Sequence, residues 1–328
     1  MRALQFLHPA PDGSGTAVAE MRAPVPQAGQ VAIDVAWAGI NFKDVMQRRG
    51  DPGYVSHWPF VPGLEASGTI SAVGPGVARE MVGRRVAALT GAGGLSEVAV
   101  ADSRLVVELP AEVGFRDAAA APGALVSAAL LIDTFGRLRA DETVLVHSAA
   151  GAVGAALAQI ARHRSAGPLV GVVGSASRVE AAQQHGYDAV FVRGSADPAG
   201  VREVTGPSGV DLVLDPQGTA MLPFDLELAA PGGRVILFGN ASGSPLADPP
   251  SIATLMGKGV QLGGFSLAAL MVTAPHLVSS TLRDVLGLIG SSVLKPDIVT
   301  IPDLGGVQAA HDALSAGTGR GKYLVKVS

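Results

Sequence analysis

Hydrophobic positions in the middle third of the chain fall into short apolar runs that are separated by helical stretches. The helical stretches include Ala155–Arg164 and a segment ending at His185, whose start has the Ser177 and Glu180 spacing of a capping box. The apolar runs follow one another along the chain: Thr143–His147, Leu169–Val173, Ala189–Val192, Asp211–Leu214, Arg234–Gly239 and Val260–Leu262. Strands that alternate with helices predict parallel βαβ units, and therefore an α/β fold with a doubly wound sheet.

The two ends of the chain carry a different pattern. Residues 1–120 are divided by many Pro and Gly turns. Between these turns lie short alternating segments: Gln30–Ala36, Ala66–Val73 and Arg85–Leu89. Such segments are typical of a partly open antiparallel β-barrel. Near the other end the apolar positions repeat at helical spacing, and the chain closes on a strand at Tyr323–Val327. We therefore predict two domains, with residues 121–264 inserted between residues 1–120 and 265–328.

A glycine turn follows the first apolar run directly. The spacing Ala149-x-Gly151-x-x-Gly154 lies between a predicted strand and a predicted helix, which is the context that a dinucleotide-binding turn requires. Gly151 lets the backbone approach a pyrophosphate, and Gly154 allows the helix to pack closely on the strand. Ala149 stands where glycine is commonest, which bears only on the tightness of the turn. The predicted phosphate-binding segment at the helix start comprises Ala150, Gly151, Ala152 and Val153.

The end of the second predicted strand indicates which dinucleotide binds. NAD-specific folds place an Asp or Glu there, about 20 residues after the glycine turn, to bind the ribose 2′-hydroxyl. This chain has no carboxylate at that place: Gly174 leaves room, and Ser175 and Arg178 are suited to bind a 2′-phosphate. Arg193, just past the third strand, is a further candidate. The sequence therefore predicts NADPH as the cofactor, and the alternative is that Arg178 and Arg193 only face solvent.

Composition narrows the class of protein. Hydrophobic residues make up 48% of the 328 residues and charged residues only 16%, which favours extensive burial and a homodimer. The formal charge of −4, with Lys and Arg scattered along the chain, argues against a nucleic-acid partner. The chain has no cysteine, which excludes disulfides and thiolate metal ligands.

Two stretches of the sequence bear on where in the cell the protein is found. The first residues lack the unbroken apolar core of a secretory signal, which favours a cytoplasmic protein. The long apolar stretch from Gly259 to Arg283 is interrupted by Gly, Gln, Pro and His. We therefore interpret it as a strand, a loop and the start of a helix, and we expect no membrane span.

Several segments, taken together, resemble one family. They are AGINFKDV at 38–45, PFVPGLEASGTISAVG at 59–74, HSAAGAVGAALAQIAR at 147–162, FGNASG at 238–243, VLKPDIVT at 293–300 and GKYLVKV at 321–327. Along its whole length the chain resembles the medium-chain dehydrogenase/reductase superfamily, and within it the zinc-free branch of quinone oxidoreductases and polyketide enoyl reductases. The resemblance implies a Rossmann domain inserted into a GroES-like β-barrel catalytic domain, and an NADPH-dependent oxidoreductase.

The resemblance also implies roles for individual residues. Zinc-dependent relatives carry a catalytic Cys and a His–Glu pair in the segments where this chain has Asn41 and Leu64, so a metal-free site is implied. Asn41 is implied to lie beside the nicotinamide and the substrate and to orient one of them; the alternative is that it bonds only neighbouring backbone. Asp44 is expected to hold its own loop rather than to act as an acid. The other implied cofactor residues are Ser127, Phe238, Gly239, Asn240 and Phe265.

The proton donor of the family has no direct counterpart in this chain. Relatives often place a Tyr about eleven residues after the Asn, whereas this chain has Pro52 there and Tyr54 two residues later. Tyr54 is therefore a candidate catalytic residue, with bound water as the alternative donor. His57 and Trp58 are further pocket candidates, although each of the three residues is as well explained by loop packing. No catalytic role is assigned to His147, Arg320 or Lys322. His147 is interpreted as a core or turn histidine, and the other two as surface charges.

Three functions are compatible with these residues. The preferred one is reduction of an α,β-unsaturated carbonyl, an enone or an enoyl compound, by hydride transfer from NADPH to the β-carbon. The second is reduction of a quinone, which uses the same hydride. The third is a cofactor-binding protein with little turnover, which the missing Tyr at position 52 keeps open. In each enzymatic case the partner is a small molecule.

Overall fold

The computed structural model describes all 328 residues and divides into two compact units. The first unit comprises Met1–Val126 and Ala268–Ser328, and the second comprises Ser127–Leu267. The sequence placed the corresponding boundaries after residues 120 and 264, a few residues earlier along the chain. None of the helices combines the length and the apolarity that a membrane crossing requires.

The strands along the chain are β1 Arg2–Phe6, β2 Thr16–Glu20, β3 Gln30–Gly39, β4 Glu65–Val73, β5 Arg85–Leu89, β6 Val98–Asp102, β7 Val106–Glu108, β8 Val144–His147, β9 Leu169–Val173, β10 Ala189–Val192, β11 Val210–Asp215, β12 Ala229–Leu237, β13 Gln261–Gly264, β14 Ile298–Ile301 and β15 Lys322–Lys326. The α-helices are α1 Phe42–Arg49, α2 Phe115–Ala119, α3 Val126–Ala129, α4 Ala152–His163, α5 Val179–Gln184, α6 Pro198–Thr205, α7 Leu222–Leu228, α8 Ile252–Lys258, α9 Leu267–Thr273, α10 Pro275–Gly290 and α11 Val307–Ser315. Two wider, π-helical turns lie at Ala121–Leu125 and Leu130–Phe135, and short 3₁₀ turns lie at Arg79–Met81, Ser103–Leu105, Ala176–Arg178 and Leu304–Gly306.

The first unit is built on a seven-stranded, mostly antiparallel sheet. Its strands follow the order β14-β15-β3-β4-β5-β7, and β6 also pairs with β3. The last strand, β15, runs antiparallel to β3, with Leu324 opposite Gly39 and Lys326 opposite Trp37. This register brings the start of β15 to the end of β3, directly before α1. A cluster of buried apolar residues, among them Phe6 of β1 and Val35 of β3, fills the core.

The second unit is a doubly wound parallel sheet, as the alternating pattern predicts. Its six strands follow the order β10-β9-β8-β11-β12-β13, and every neighbouring pair is parallel. The chain runs outward from β8 to β10 on one side and returns through β11 on the other side. The order therefore reverses between β8 and β11. In sheets of this kind, ligands bind beyond the carboxyl ends of the strands at this reversal.

Two local predictions are wrong. The Ser177 and Glu180 spacing does not start a helix as a capping box, because residues Ala176–Arg178 form a 3₁₀ turn and α5 begins only at Val179, with no side-chain cap. The predicted loop within Gly259–Arg283 contains a helix, α9. In the second case the Gly and Pro residues that suggested a loop lie outside α9, in β13 and at the start of α10, so they flank the helix and do not break it.

Candidate functional site

The glycine turn of the second unit connects β8 to α4. Gly151 is the residue that precedes the helix, with extended backbone at φ −88° and ψ 171°. A Cβ on Gly154 would lie 2.6 Å from the carbonyl oxygens of both Ser148 and Ala149, so only glycine lets the helix start pack on the turn. The first N–H groups of a helix have no partner within the helix. The start of α4, with Ala152 and Val153, is therefore placed to bind an anion at the carboxyl edge of the sheet.

Ala149, which departs from the commonest glycine, is accommodated by a glycine on the neighbouring strand. Ala149 is fully buried, and a Cβ on Gly171 of β9 would lie only 2.8 Å from the Ala149 Cβ. The sharp bend falls one residue earlier, at Ser148, whose φ is +57°. The turn therefore keeps its course although its first position carries a methyl group.

The end of β9 provides the residues predicted to select the cofactor. Gly174 and Ser175 are exposed, and a Cβ on Gly174 would meet no atom within 4 Å. Arg178 donates from Nη2 to the carbonyl oxygen of Ala150 at 2.9 Å, which places its guanidinium at the glycine turn. Burial lowers the pKa of Arg193, and the negative charge of Asp215 opposes that effect. Both guanidinium groups remain charged at neutral pH.

The other predicted cofactor residues lie at strand ends or in a helical turn of the same unit. Phe238 follows β12 and donates its N–H to the Asp215 carbonyl oxygen at 2.9 Å. Gly239 comes next and is exposed. Phe265 follows β13 and packs edge-on against Phe135, with 5.1 Å between ring centroids. Ser127 is nearly buried at 9% exposure.

Asn240 is occupied within its own loop. Its Nδ2 donates to the carbonyl oxygen of Ser244 at 2.9 Å, and its Oδ1 accepts from the Ser242 hydroxyl at 3.0 Å. A Cβ on Gly218 would lie 2.5 Å from Asn240 Oδ1, so the loop is also packed from the other side. The side chain thus holds the loop after β12. Its effect on a ligand would be to fix the backbone of this loop.

A buried polar cluster lies at the ends of β8 and β11. His147 Nε2 and Asp225 Oδ1 are 2.7 Å apart, and both side chains are fully buried together with Asp215. Burial opposes the charged imidazole, but the charges of Asp225 and Asp215 outweigh it and raise the pKa of His147. Burial raises the pKa of Asp215 to about 7, with the Asp225 charge adding to the rise and the His147 charge opposing it. His147 is thus a buried core residue, as the sequence indicates.

The same three side chains are of the kind that can hold a metal ion, with ligand atoms within 4.8 Å of one another. The 2.7 Å between His147 and Asp225 is, however, the length of a hydrogen bond. Asp215 also accepts the N–H of Gln217 at 2.6 Å. We therefore interpret the cluster as a group of acids and a base that share protons, and the metal-free site stays a prediction from the sequence.

In the first unit, Asn41 caps the start of α1. Its backbone is extended, and the Asp44 carboxylate accepts the N–H of Asn41 at 2.8 Å, which completes a capping box. Asp44 is fully buried. Its carboxylate therefore holds its own loop, which is the role that the sequence favours.

The side chain of Asn41 is held by two charged residues that the sequence interpretation missed. Asn41 Nδ2 donates to Glu65 Oε1 at 2.8 Å, and Lys322 Nζ donates to Asn41 Oδ1 at 2.7 Å. Lys322 Nζ also donates to the Ile40 carbonyl oxygen at 3.1 Å and forms an ion pair with Glu65. Interpreting Lys322 as a surface charge is wrong, because only 2% of it is exposed. Its aliphatic stem is buried, and its charge is neutralised by Glu65.

Glu65, the first residue of β4, lies in a space shaped by two glycines. It is fully buried, and its Oε2 accepts the N–H of Gly123 at 2.5 Å. A Cβ on Gly39 would collide with the Glu65 carboxylate, and a Cβ on Gly123 would lie 3.0 Å from both carboxylate oxygens. The sequence carried one signal for this pocket, an acidic residue between apolar positions in the segment PGLEASG.

Tyr54 lies in the loop that follows α1. Its side chain is 36% exposed, and its N–H donates to the Asp51 carbonyl oxygen at 3.3 Å. Burial, together with the charge of Asp51, raises the pKa of Tyr54, so its hydroxyl is protonated at neutral pH. Trp58 packs against the apolar core, and His57 is exposed beside Ser56. Trp58 therefore has the packing role that was its alternative.

Comparison with known proteins begins with two family models. One, described as a zinc-binding dehydrogenase, matches residues 152–284, and the other, an alcohol dehydrogenase GroES-like domain, matches residues 27–111. The second match lies within the predicted catalytic domain. The first match begins at the helix that follows the glycine turn.

Individual relatives give more detail. The chain is 34% identical over 325 residues to the spectinabilin polyketide synthase system protein NorB of Streptomyces orinoci. That match covers 96% of this chain but only 14% of the larger protein. The chain is also 30% identical over 236 residues to quinone oxidoreductase-like protein 2 of Mus musculus, covering 71% of this chain and 67% of the mouse protein.

A solved structure confirms the fold. Quinone oxidoreductase of Escherichia coli, complexed with NADPH, superimposes with a TM-score of 0.90 at 26% identity, covering 99% of this chain and 100% of that one. The predicted combination of a Rossmann sheet and a GroES-like domain is thereby confirmed. The chain belongs to the medium-chain dehydrogenase/reductase superfamily, in its zinc-free quinone oxidoreductase branch.

Proposed function

We propose that the protein is an NADPH-dependent reductase that transfers hydride to the β-carbon of an α,β-unsaturated carbonyl compound. The observation that carries the cofactor choice is the Arg178 guanidinium at the glycine turn, beside the open space at Gly174 and with no carboxylate at the end of β9. A 2′-phosphate fits this arrangement, whereas a 2′-hydroxyl finds no carboxylate acceptor there. The NADPH complex of the E. coli relative supports the same choice.

The substrate class is supported by the extent of the two sequence matches. The polyketide synthase match spans 96% of this chain, whereas the match to the quinone oxidoreductase-like protein spans 71%. Enoyl reduction is one of the hydride-transfer steps that polyketide synthases carry out. An enoyl or enone substrate is therefore the better supported of the two.

When bound, NADPH supplies the hydride. The start of α4 holds the pyrophosphate through its free N–H groups, and Ser175 and Arg178 hold the 2′-phosphate, with Arg193 as a further cation. Asn41 donates a hydrogen bond to the carbonyl oxygen of the substrate. Water supplies the proton for the α-carbon, with Tyr54 orienting it. The proposed contacts to the rest of the cofactor are Ser127, Ala150, Gly151, Ala152, Val153, Phe238, Gly239, Asn240 and Phe265.

Two other functions are kept as alternatives. Quinone reduction uses the same cofactor and the same hydride, and the names of the mouse and E. coli relatives favour it. A cofactor-binding protein with little turnover is the third, because Pro52 replaces the usual Tyr and Tyr54 lies in a loop where it is partly exposed.

We further propose that the protein is a homodimer. Strand β13 is at the edge of the second unit's sheet, with β12 as its neighbour. The adjacent helix α8 has no buried residue, and its Ile252 and Met256 are 70% and 76% exposed. A second copy covering this edge would remove that apolar surface from water. A cytoplasmic location stays a prediction from the sequence.

The experiment that tests the function is a substrate panel. NADPH and NADH are each offered with enones, enoyl thioesters and quinones, and the oxidation of the cofactor is followed by its absorbance. We expect the highest kcat/KM for an enone or enoyl thioester with NADPH. Turnover of quinones alone would establish the second function, and cofactor binding without any turnover would establish the third.

A further inference from the structure

The amide of Asn41 has one hydrogen-bonding group left over. An Asn side chain offers one oxygen acceptor and two N–H donors. Its Oδ1 accepts from Lys322 Nζ, and one N–H goes to Glu65 Oε1. The second N–H has only a long approach of 3.5 Å to the Gly39 carbonyl oxygen. The side chain therefore retains donor capacity while its acceptor is in use.

The two neighbours also fix which way the amide faces. Lys322 is a pure donor and Glu65, when ionised, a pure acceptor, so exchanging the oxygen and nitrogen of Asn41 would oppose like groups on both sides. Each charged residue also has hydrogen-bond partners of its own. The three N–H groups of the Lys322 ammonium have three acceptors, on Ile40, Asn41 and Glu65.

The pocket leaves these residues little freedom to move. Lys322 is 2% exposed and Glu65 fully buried, and the Glu65 carboxylate lies against Gly39 and Gly123, where any Cβ would crowd it. An ion pair in such surroundings is costly to form, because both charges lose their water. It stabilises one arrangement of the polar groups that it contacts, and the group it contacts here is the Asn41 amide.

We propose that Lys322 and Glu65 are positioning residues that hold Asn41 as a one-way hydrogen-bond donor, so that the group Asn41 recognises is an acceptor oxygen. This inference rests on the proposed function, because it assigns that oxygen to the reacting carbonyl. The Lys322 charge on Oδ1 also polarises the amide, which strengthens the remaining N–H as a donor.

The reaction gives such a donor a use. Hydride addition forms a C–H bond at the β-carbon, the electron pair of the carbon–carbon double bond moves toward the carbonyl, and the carbonyl oxygen becomes an enolate oxygen. NADPH is oxidised to NADP⁺, and a proton from water then completes the α-carbon. A fixed N–H aimed at that oxygen stabilises the charge that develops. An Asn41 amide turned the other way would present a lone pair and repel it.

The first test is a double-mutant cycle on turnover. Asn41→Ala should lower kcat about 100-fold, the size of effect that loss of one such donor has. Lys322→Met should lower kcat about 10-fold or more while the dissociation constant of NADPH stays unchanged. In the Asn41→Ala background, Lys322→Met should cause no further loss, because Lys322 acts through Asn41. Losses that multiply in the double variant would overturn the proposal. Lys326→Met, which changes an exposed lysine of the same strand, is the matched control.

Lys322→Met alone leaves the Glu65 carboxylate buried without its cation, which endangers folding. The double variant Lys322→Met with Glu65→Gln removes both charges and keeps the volume, so it should fold. Its urea unfolding midpoint is compared with that of the wild type. We expect this folded variant to remain slow. A folded double variant with the wild-type rate would contradict the positioning role.

The second test needs no turnover and therefore separates this inference from the proposed function. The chain contains two asparagines, Asn41 and Asn240, so labelling with ¹⁵N-asparagine gives two side-chain amide nitrogens, each with a pair of N–H signals. Lys322→Met should shift the Asn41 signal strongly and speed its hydrogen exchange, while the signal of Asn240, which is bonded within its own loop, stays in place. If the Asn41 signal is unchanged, Lys322 does not hold the amide and the inference fails. If the signal responds but no enone is reduced, the proposed function fails and the positioning stands.

Discussion

Arg178 donates a hydrogen bond from Nη2 to the carbonyl oxygen of Ala150, 2.9 Å away. The contact joins the end of the second strand of the Rossmann sheet to the glycine turn after the first. A positively charged group is thereby held where the 2′ position of a bound dinucleotide is expected to lie.

Replacing Arg178 tests this assignment. Arg178→Ala should weaken NADPH binding by about 1–3 kcal/mol and leave NADH binding nearly unchanged, because only NADPH carries the 2′-phosphate. Fluorescence titration of both cofactors against wild type and variant measures the difference. Arg202→Ala, which removes an arginine bonded to Glu227, serves as the control. Equal losses for the two cofactors would show that Arg178 only supports the turn.

The buried His147, Asp215 and Asp225 cluster should make stability depend on pH. Burial raises the pKa of Asp215 from 3.8 to about 7, and the neighbouring carboxylates raise that of His147. Both groups hold protons in the folded state that the unfolded chain releases at lower pH. The stability they contribute is therefore complete below about pH 4 and is lost as the pH rises through about 7.

Asp215→Asn should remove much of this dependence, because the amide stays neutral at every pH. At about 1.4 kcal/mol per pH unit, the full effect in the wild type amounts to about 4 kcal/mol, shared among the coupled groups. The measurement is the free energy of unfolding in urea between pH 4 and 8, with the exposed Asp248→Asn as control. An equally steep decline in the Asp215 variant would exclude the cluster as the cause.

The pairing of Ala149 with Gly171 predicts a compensating pair of substitutions. Gly171→Ala places a methyl group 2.8 Å from the Ala149 Cβ and 3.2 Å from the Tyr187 ring, and should destabilise the protein by about 1–3 kcal/mol. Adding Ala149→Gly removes one of the two clashes and should restore a substantial part of the loss. Thermal unfolding of the two single variants and of the double variant measures the loss and its recovery. If adding Ala149→Gly lowers the unfolding temperature further, the two methyl groups do not compete for the same space.

Much of the fold can be predicted from local pattern. Leu169–Val173, Ala189–Val192 and Arg85–Leu89 are strands with the predicted bounds, because each is a short apolar run closed by a turn or a polar residue. The capping-box prediction at Ser177 failed because several neighbouring polar residues there offer competing turns.

The candidate site likewise has one part that the local sequence predicts and another part that it does not predict. The glycine turn is local, and its sequence spacing is enough to locate it. Lys322 escaped notice because its partners Asn41 and Glu65 are 281 and 257 residues away along the chain. Only the register of β15 on β3 brings them together. A lysine near the end of a sequence is by default a surface charge, and nothing in the local pattern shows that this one is buried.

The role of Tyr54 can be tested at the last step, the protonation of the α-carbon. We expect Tyr54→Phe to keep most of the rate and the configuration at the α-carbon, because water supplies the proton and the tyrosine only orients it. The assay is turnover of an α-substituted enone in deuterated water, with rate and configuration measured together. The loss of a general acid typically lowers the rate by about 10²–10⁴-fold. A loss of that size with scrambled configuration, in a folded variant that still binds NADPH, would show that Tyr54 is the donor.

The most direct test of the proposed function follows the hydride itself. NADPH carrying deuterium at the transferable position of the nicotinamide is turned over with an enone or enoyl thioester in ordinary water, and the product is examined by NMR and mass spectrometry. The account predicts one deuterium, bound to the β-carbon, and an α-carbon proton that comes from solvent. Deuterium at the carbonyl carbon, or cofactor oxidation that occurs only with quinones and leaves the enone unlabelled, would contradict it.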